Sequence, residues 1–506
     1  MTAMNSRSGP GASPSQSQGG NENSQGSPGC IDAPACASTP ALAWPARARL
    51  EVRALWQLAW PILIGQLATV GLSVVAVVMA GHASAQDLAG VSLGVSIWHI
   101  TTTTLLGVMM AINPIVAHHV GAGSLDQVPQ AVRQALWKAL AIGLVAVLLA
   151  NLAALVFAHL GLEPRVQALA LDFVRITSLG LPAYAGYRVL YGYSASLNQT
   201  KPMMVIALSA LLLNGLISAL LVYGLAGLPR LGGLGCAWAT VVCMWFNLLA
   251  LLWWMRRSPA YRSTWAFGQF EWPHWPTLAE QLRLGLPIGV TYFAETSAFG
   301  LIALLVARFG TTEVAAHQIA LNFASLSFML PMSMGVAILT RVGQSLGAGD
   351  PRSARFRAWV GIAAALGFAA LSALFMALFN QQIALAYTSD PAVAALAAQL
   401  LLLAALFQLT DASQVATSCA IRGYKVTRAP MLIHMLAFWG VSLPLGCLLG
   451  LAPGWLPGLP DRPMAAQGFW IALVVGLSVA AIGLSALLHR VAEQRLKTAP
   501  AGWRPV

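Results

Sequence analysis

Two carboxylic acids, Glu295 and Asp411, interrupt long apolar stretches of this sequence. Glu295 is the single charged residue in "LGLPIGVTYFAETSAFGLIALLVA", which covers residues 284–307. Asp411 lies in "LFQLTDASQVATSCA", which contains no other charged residue. A carboxylate within a lipid-spanning helix is costly, so it is a candidate functional group. Such a group can bind and release a proton near neutral pH, or it can hold a hard cation such as Na⁺ together with neighbouring oxygen atoms.

Polar side chains recur at helical spacing around both acids. Residues three, four or seven positions apart share one face of a helix. By this spacing the polar neighbours of Asp411 are Gln408, Gln414 and Ser418, those of Glu295 are Thr291 and Tyr292, and the next apolar segment carries Gln318, Asn322 and Ser325. Together they predict a polar cavity enclosed in the C-terminal half of the chain. The alternative for any single Gln or Ser is that it joins neighbouring membrane helices by hydrogen bonds.

The composition indicates an all-α integral membrane protein. Of the 506 residues, 58% are hydrophobic and 9% are charged, and the mean hydropathy is +0.71. Soluble domains, by contrast, carry about 25% charged residues. The apolar segments divide into twelve predicted transmembrane helices, at roughly 54–80, 92–119, 135–159, 168–196, 203–225, 235–255, 282–307, 316–341, 356–379, 393–421, 430–451 and 467–489.

The longest break between predicted spans separates six helices from six. It covers residues 256–281, interpreted as a cytoplasmic linker between a six-helix bundle at 46–255 and a second one at 282–490. Residues 1–45 are rich in Gly, Ser, Pro, Gln and Asn, which predicts a disordered tail. Residues 491–506 are interpreted as a cytoplasmic C-terminal tail.

The two halves are repeats of each other. Moving the sequence by 226 positions aligns "PILIGQLATVGL" from Pro61 with "PIGVTYFAETSA" from Pro287, and "GAG" at 121–123 with "GAG" at 347–349. Because each half has an even number of spans, both insert the same way up. This predicts parallel repeats related by an axis along the membrane normal. The same alignment places Thr69 opposite Glu295, so this acid belongs to one half only.

Basic residues collect on one side of the predicted topology. With a cytoplasmic N-terminus, most of the 28 Lys and Arg residues fall in inside segments, and the outside loops hold only Arg165, Arg230, Arg308 and Arg462. This is the positive-inside pattern, and it predicts that both termini are cytoplasmic. It also explains the net charge of +12 without a nucleic-acid partner.

No motif indicates an enzyme or a metal site. The motifs G-x-x-x-x-G-K-[ST], H-E-x-x-H and G-x-S-x-G are all missing from the sequence, so we predict no enzymatic activity and no cofactor other than a coupling ion. The adjacent His118 and His119 are expected on different helix faces and are interpreted as a polar helix end. Asp172 is interpreted as a salt-bridge partner of Arg175.

Long stretches of the chain resemble the multidrug and toxic compound extrusion (MATE) transporters of the NorM-type branch. Among these stretches are "PILIGQLATVGLSVVAVVMAG", "GVMMAINPIVAHHVGAG", "FAETSAFGLIALLVARFGTTEVAAHQIALNF" and "LFQLTDASQVATSCAIRGYK". The resemblance extends from about residue 50 to residue 490. It implies a cation-coupled exporter of cationic, amphiphilic compounds in the bacterial inner membrane, with Glu295 and Asp411 as its cation site.

Two positions depart from the pattern of this family. Family members often carry an Asp in the first span where this sequence has Ala76, although the associated polar position is kept as Asn214. The family's Tyr one turn before the Asp of span ten is replaced by Phe407, which removes a phenolic ligand of the cation. Both departures concentrate the predicted ion coupling on Glu295 and Asp411.

We therefore expect a monomeric multidrug efflux transporter that exchanges Na⁺ or H⁺ for cationic or amphiphilic drugs and dyes by alternating access in the lipid bilayer. Besides the two acids, the residues expected at the cation or substrate cavity are Tyr292, Gln318, Asn322, Phe407, Gln408, Gln414 and Asn214. Those expected along a drug cleft are Phe293, Phe299, Met329, Met332 and Met334. The alternatives are an ion channel, a non-transporting scaffold, and a flippase for lipid-linked saccharides, which would need a cleft rich in Arg and Lys.

Overall fold

The described part of the chain is built from α-helices. The computed structural model describes residues 44–159, 161, 163–227, 229–451 and 463–498. Within these ranges there are sixteen α-helices, several 3-10 turns and one π-helical segment, and no β-strand. The predicted tail at 1–45 lies almost wholly outside the described residues. The last helix continues into the predicted C-terminal tail as far as Lys497.

Each half contains eight α-helices. Those of the N-terminal half are α1 (Trp44–Ala83), α2 (Ala85–Met109), α3 (Ile112–Gly121), α4 (Val128–Ala154), α5 (Pro164–Ser178), α6 (Leu181–Ser196), α7 (Lys201–Tyr223) and α8 (Gly233–Arg257). Those of the C-terminal half are α9 (Trp275–Val306), α10 (Thr311–Gly347), α11 (Pro351–Leu378), α12 (Asn380–Tyr387), α13 (Pro391–Gly423), α14 (Arg428–Met435), α15 (Leu443–Leu451) and α16 (Ala465–Lys497). The π-helical segment Leu436–Ser442 joins α14 to α15.

These helices account for the twelve predicted spans. Eleven helical segments of the described chain are long and apolar enough to cross a membrane. The remaining predicted span, 168–196, consists of α5 and α6, which are separated at Leu179 and Gly180. Pro182 stands in the first turn of α6, where its missing N–H removes no helical hydrogen bond. The predicted all-α, membrane-spanning fold is therefore confirmed.

Contacts between the halves follow the sequence repeat. Gly121 at the end of α3 packs against the backbone of Gln344 in α10, and Gly347 at the end of α10 packs against the backbone of His118 in α3. His118 and Gln344 are related by the same 226-position offset as the two glycines, so the two contacts are counterparts. The glycines two positions further on in each half have left-handed φ angles of +72° and +75°, which glycine adopts without strain. The predicted parallel repeat is thus present in the backbone.

The halves meet at the face of the bundle where α1 begins and α16 ends, which we call the N-terminal face. There Arg341 of α10 donates a hydrogen bond of 2.6 Å from Nη2 to the buried carboxylate of Glu51 in α1, and Nε of Arg357 in α11 lies 3.5 Å from the same carboxylate. Large hydrophobic clusters combine residues of both halves, whereas clusters nearer the opposite face contain residues of one half only. Contact between the halves is therefore concentrated at the N-terminal face.

The connection between the halves is held against α4. It begins after α8 and ends at Trp275, where α9 starts, so it is shorter than the predicted linker. Arg133 of α4 donates a hydrogen bond of 2.9 Å to the backbone oxygen of Ala266 and forms an ion pair with Glu271. The hydrogen bond from Arg133 holds the pKa of the Glu271 carboxyl below its ordinary value. The connection is thus anchored to the N-terminal half before α9 begins.

We predict that Gly121→Ala separates the halves at the N-terminal face. A Cβ atom at this position would lie 1.9 Å from the backbone oxygen of Gln344, which is too close for a non-bonded contact. Spin labels in the α3–α4 and α10–α11 loops would report the separation as a longer distance between the labels. Gly367→Ala is the matched control, because open space surrounds this helical glycine. The same distance in the Gly121→Ala protein and the control would contradict the prediction.

Candidate functional site

The structure brings Glu295 of α9 and Asp411 of α13 within electrostatic reach of each other. Asp411 is 3% exposed and Glu295 is partly buried, and the negative charge of Asp411 acts on Glu295. In an interior of low dielectric constant, two neighbouring carboxylates repel strongly when both are ionised. The pair therefore favours the uptake of a proton or another cation.

A buried arginine supplies positive charge at the base of this site. Arg422 lies about three helical turns beyond Asp411 along α13, toward the N-terminal face, and is 5% exposed. Its guanidinium carbon is 5.3 Å from the centre of the Tyr292 ring, and its charge acts on Glu295. Its Nη1 atom is 3.5 Å from the Tyr292 hydroxyl oxygen and 3.9 Å from Sδ of Met110 in the N-terminal half. Two carboxylates and one guanidinium leave one negative charge for a cation to offset.

Hydrogen bonds connect Asp411 to His434 on α14. Gln414 donates from Nε2 to Oδ1 of Asp411 at 3.0 Å, and its Oε1 lies 2.5 Å from Nε2 of His434. The other ring nitrogen of His434, Nδ1, lies 2.7 Å from the backbone oxygen of Pro430. All three side chains are buried, so water does not compete for these bonds.

The hydrogen bonds of this chain can all form only if the chain carries one extra proton, compared with the state in which Asp411 is ionised and His434 is neutral. The Pro430 oxygen can only accept, so Nδ1 of His434 must donate. If Gln414 donates to an ionised Asp411, its own oxygen accepts, and His434 must also donate from Nε2 and carry a positive charge. If the amide is turned over, a protonated Asp411 donates to Gln414 and His434 is neutral. The three side chains are therefore suited to holding a proton.

Further polar atoms near Asp411 have no partner. Both amide atoms of Gln408 and the hydroxyl oxygen of Ser418 are buried without a hydrogen bond. Buried polar atoms are normally paired, and oxygen atoms of this kind are ligands for hard cations. In the described part of the chain, no three His, Cys, Asp or Glu side chains come together as a metal site would require. The two carboxylates and these unpaired oxygen atoms have the chemistry to hold a proton or a hard cation such as Na⁺.

Aromatic side chains cover the site toward the opposite face. Phe407 packs edge-on against Trp470, with ring centres 5.6 Å apart, and against Phe299, with ring centres 6.0 Å apart. Phe299 also contacts Phe438. Phe407 is thus a packing residue one turn from Asp411. Phe299, predicted along a drug cleft, is partly buried and its ring contacts are with residues of the C-terminal half.

The sequence predicts that the polar stripe of α10 shares the enclosed site of the two acids, but in the structure it does not. Gln318, Asn322 and Ser325 are exposed instead. The same helical face continues to Met332 and Val336, which pack against the N-terminal half. The stripe therefore lies on the face of α10 that meets the N-terminal half, and its exposure indicates a gap between the halves beyond their point of contact. The prediction differs because helical spacing shows which residues share one face of a helix but does not show what that face contacts.

Smaller predictions have mixed outcomes. Met334 is fully buried and does not line a cleft, whereas Phe293 is 49% exposed. The salt bridge between Asp172 and Arg175 is confirmed, with an N–O distance of 3.1 Å. His118 lies 2.8 Å from the backbone oxygen of Gly423 in the other half, so it is an inter-half contact at the end of its helix.

Comparison with known proteins identifies the family. The MatE family model matches residues 61–220 and again residues 287–448, two segments that begin 226 positions apart. The chain belongs to the MatE family. The multidrug resistance protein PmpM of Pseudomonas aeruginosa is 45% identical over 452 residues, which cover 89% of this chain and 94% of that protein.

Other relatives agree with this assignment. The probable multidrug resistance protein NorM of Chromobacterium violaceum is 42% identical over 447 residues, which cover 88% of this chain and 95% of that protein. The solved structure of the eukaryotic MATE transporter AtDTX14 matches with a TM-score of 0.80 at 20% identity, over 90% of this chain and 100% of that chain. The resemblance to this family is confirmed, and the fold is shared with its solved members.

In this MatE family member, the N-terminal half lacks an acid at Ala76. Ala76 is buried and packs with Val222 and Cys236. Asn214 is buried in α7, where its side chain lies beside Cys243 of α8. Because α7 belongs to the N-terminal half, the structure does not place Asn214 with Glu295 and Asp411.

The sequence reasoning missed Arg422 and His434. Arg422 falls just beyond the predicted span 393–421, among the basic residues of the predicted inside segments. It shares a helical face with Asp411 and Ser418, and that spacing is the signal that identifies it. His434 stands in the apolar stretch "MLIHMLAFWG". No spacing relates it to Asp411, because the two residues are on different helices.

We predict that Gln414→Leu destabilises the protein by about 1–3 kcal/mol, because Asp411 and His434 then lose a buried hydrogen-bond partner. Thermal unfolding of the detergent-solubilised protein would show this as a lower midpoint temperature. Ser418→Ala is the matched control, since its buried hydroxyl has no partner to lose. Equal midpoints for the two variants would contradict the importance of the hydrogen-bond chain.

Proposed function

We propose that this protein is a cation-coupled multidrug efflux transporter of the bacterial inner membrane. It exchanges Na⁺ or H⁺ for cationic, amphiphilic drugs and acts as a monomer, with its two halves exposing a central cleft to each side of the membrane in turn. Close relatives carry the names of multidrug resistance proteins. The observation that carries ion coupling is the pair of a partly buried Glu295 and a buried Asp411, which lie in apolar spans within electrostatic reach of each other.

The N-terminal face is assigned to the cytoplasm. The excess of Lys and Arg in the segments at this face supports the assignment. The contacts between Glu51 and Arg341, and between Gly121 and Gln344, then close the cytoplasmic side. The gap between the halves opens toward the periplasm, which corresponds to an outward-facing state.

In this state the coupling ion reaches the acids from the periplasm. Its binding offsets the negative charge left by Glu295, Asp411 and Arg422 and so weakens the attraction between Glu295 and Arg422. Arg422 also contacts Met110 of the N-terminal half. A change in the charge of the site therefore acts on a residue at the closed interface, which provides a physical connection between ion binding and the movement of the halves.

The drug occupies the gap beside the polar stripe of α10. Gln318, Asn322 and Ser325 offer hydrogen bonds there, and Met332 at the base of the gap provides an adaptable apolar surface. A cationic drug is attracted by the same negative charge that binds the coupling ion. Binding of the ion removes that attraction, so ion entry and drug release are linked as antiport requires.

We predict that Glu295→Gln and Asp411→Asn each abolish gradient-driven drug efflux, because neither variant can take up and release a cation at the replaced group. Efflux of a fluorescent cation from cells with matched expression measures the effect. Asp172→Asn is the matched control, since this acid is half exposed and forms a surface salt bridge. Near-normal efflux by both site variants would refute the assignment of the coupling site.

The coupling ion is identified with purified protein in liposomes loaded with the same fluorescent cation. Na⁺ and pH gradients are imposed separately, and saturable counterflow is measured. If only one of the two gradients drives counterflow, the ion of that gradient is the coupling ion. Non-saturable leakage under both gradients would support a channel and exclude antiport.

If the proton gradient drives transport, we predict that His434→Gln shifts the pH dependence of efflux toward lower pH. The variant removes one of the two groups that can hold the shared proton, so the site binds a proton less tightly. The rate of pH-driven efflux in liposomes measured across a pH series shows the shift. His489→Gln is the matched control, because His489 is exposed and pairs with Glu493 on α16. Superimposable profiles for His434→Gln and the native protein would contradict the prediction.

A further inference from the structure

A lateral groove lies between the first helix of one half and a helix of the other. It has a volume of about 670 Å³ and is bordered by α1 and α11, with Leu496 of α16 at one end. Its position separates it from the enclosed acids and from the polar stripe of α10, and neither contributes to its lining. Cavities of this volume hold molecules of the size of ordinary small ligands.

The walls of the groove are apolar and its mouth is basic. Most lining residues are apolar, among them Val52 and Val360. The lining also includes two basic residues, Arg352 and Arg355, on the first turns of α11. No carboxylate contributes to the lining. Among the described residues, neither of these arginines forms a salt bridge. Two positive charges at the edge of an apolar groove are complementary to a molecule with an anionic head and an apolar tail.

The residues around the groove are of the kinds found where lipid head groups meet a membrane protein. It lies beside the start of α1, which carries Trp44, Arg47 and further arginines, at the N-terminal face. Arg47 stacks over the ring of Phe356 at 5.2 Å, and Trp44 packs edge-on against the same ring at 6.5 Å. Tryptophan and basic residues in such numbers are typical of the boundary between the hydrocarbon core and the aqueous phase.

We propose that this groove binds one anionic phospholipid. The phosphate lies between Arg352 and Arg355, and an acyl chain runs along Val52, Val360 and the small side chains of Ala363 and Ala364. The positive mouth of the groove repels the cationic compounds that the central cleft attracts, so the two sites select ligands of opposite charge.

The lipid contacts both halves at once. The walls of the groove belong to α1 of the N-terminal half and to α11 of the C-terminal half. Glu51, adjacent to Val52 in the wall, makes the ion pair with Arg341 that joins the halves. A ligand that needs both walls binds best when the walls are together. Anionic lipid in the groove therefore favours the state in which the N-terminal face is closed.

The test is a binding measurement that does not depend on transport. Phosphatidylglycerol and phosphatidylethanolamine are titrated separately into the purified full-length protein in detergent, and lipid-bound species are counted by native mass spectrometry. We expect tighter binding of one phosphatidylglycerol than of phosphatidylethanolamine. The double variant Arg352→Gln/Arg355→Gln should bind phosphatidylglycerol roughly tenfold to thirtyfold more weakly, as the loss of two basic contacts to an anionic lipid implies.

Two further variants keep the test specific. Arg256→Gln/Arg257→Gln removes two charges from exposed positions at the end of α8, on the same face but outside the groove, and should bind phosphatidylglycerol as the native protein does. Ala363→Phe narrows the groove without changing its charge and should also weaken binding. It provides the test if the double arginine variant fails to fold.

Three results would overturn the proposal. The first is equal affinity of the native protein for the two lipids. The second is an equal loss of binding in the Arg256→Gln/Arg257→Gln control, which would indicate general surface attraction. The third is tighter phosphatidylglycerol binding after removal of residues 1–43, which would mean that this segment and not a lipid fills the groove. Because binding is read directly, each of these results is distinct from a failure of the proposed efflux function.

Discussion

The high cost of placing negative charge in an apolar membrane span is the constraint on which the rest of this structure depends. Glu295 and Asp411 repel each other in the C-terminal half, and the protein offsets that repulsion with a buried Arg422 and a hydrogen-bond chain through Gln414 to His434. When both acids are ionised and His434 is neutral, the offset is incomplete by one positive charge. A site of this kind is stabilised by taking up a cation from its surroundings, which is the property that an ion-coupled transporter needs.

The packing of the two halves places this charge balance where it can act on the rest of the molecule. Inter-half contacts are concentrated at the N-terminal face and obey the internal repeat, as the reciprocal positions of Gly121 and Gly347 show. Because such contacts are close and involve backbone atoms, small displacements break them rather than stretch them. Arg422 reaches the same interface through Met110. The charged site and the closed face are therefore joined by direct contact.

Sequence reasoning recovered the parts of this arrangement that depend on local composition and period. The twelve spans, the repeat and the unusual position of Glu295 and Asp411 follow from hydropathy and from a fixed offset. It assigned the stripe of Gln318 and Asn322 to the wrong surroundings, because a helical period gives a face but not the helix or gap that the face meets. Arg422 is on the same helix as Asp411, and helical spacing could have placed the two on one face. Because Arg422 is basic and lies just beyond the predicted span, it was instead grouped with the residues outside the membrane.

The sequence by itself determined that the chain spans a membrane as two parallel repeats and that one half carries two acids within apolar spans, since apolar length, repeat offset and charge are properties of the chain. Only the tertiary structure decided what those acids meet. Glu295, Asp411 and His434 belong to three different helices, and side chains on separate helices come together through packing, whose geometry depends on every contact between the helices at once. The same is true of the basic groove between α1 and α11, whose walls are far apart in the chain.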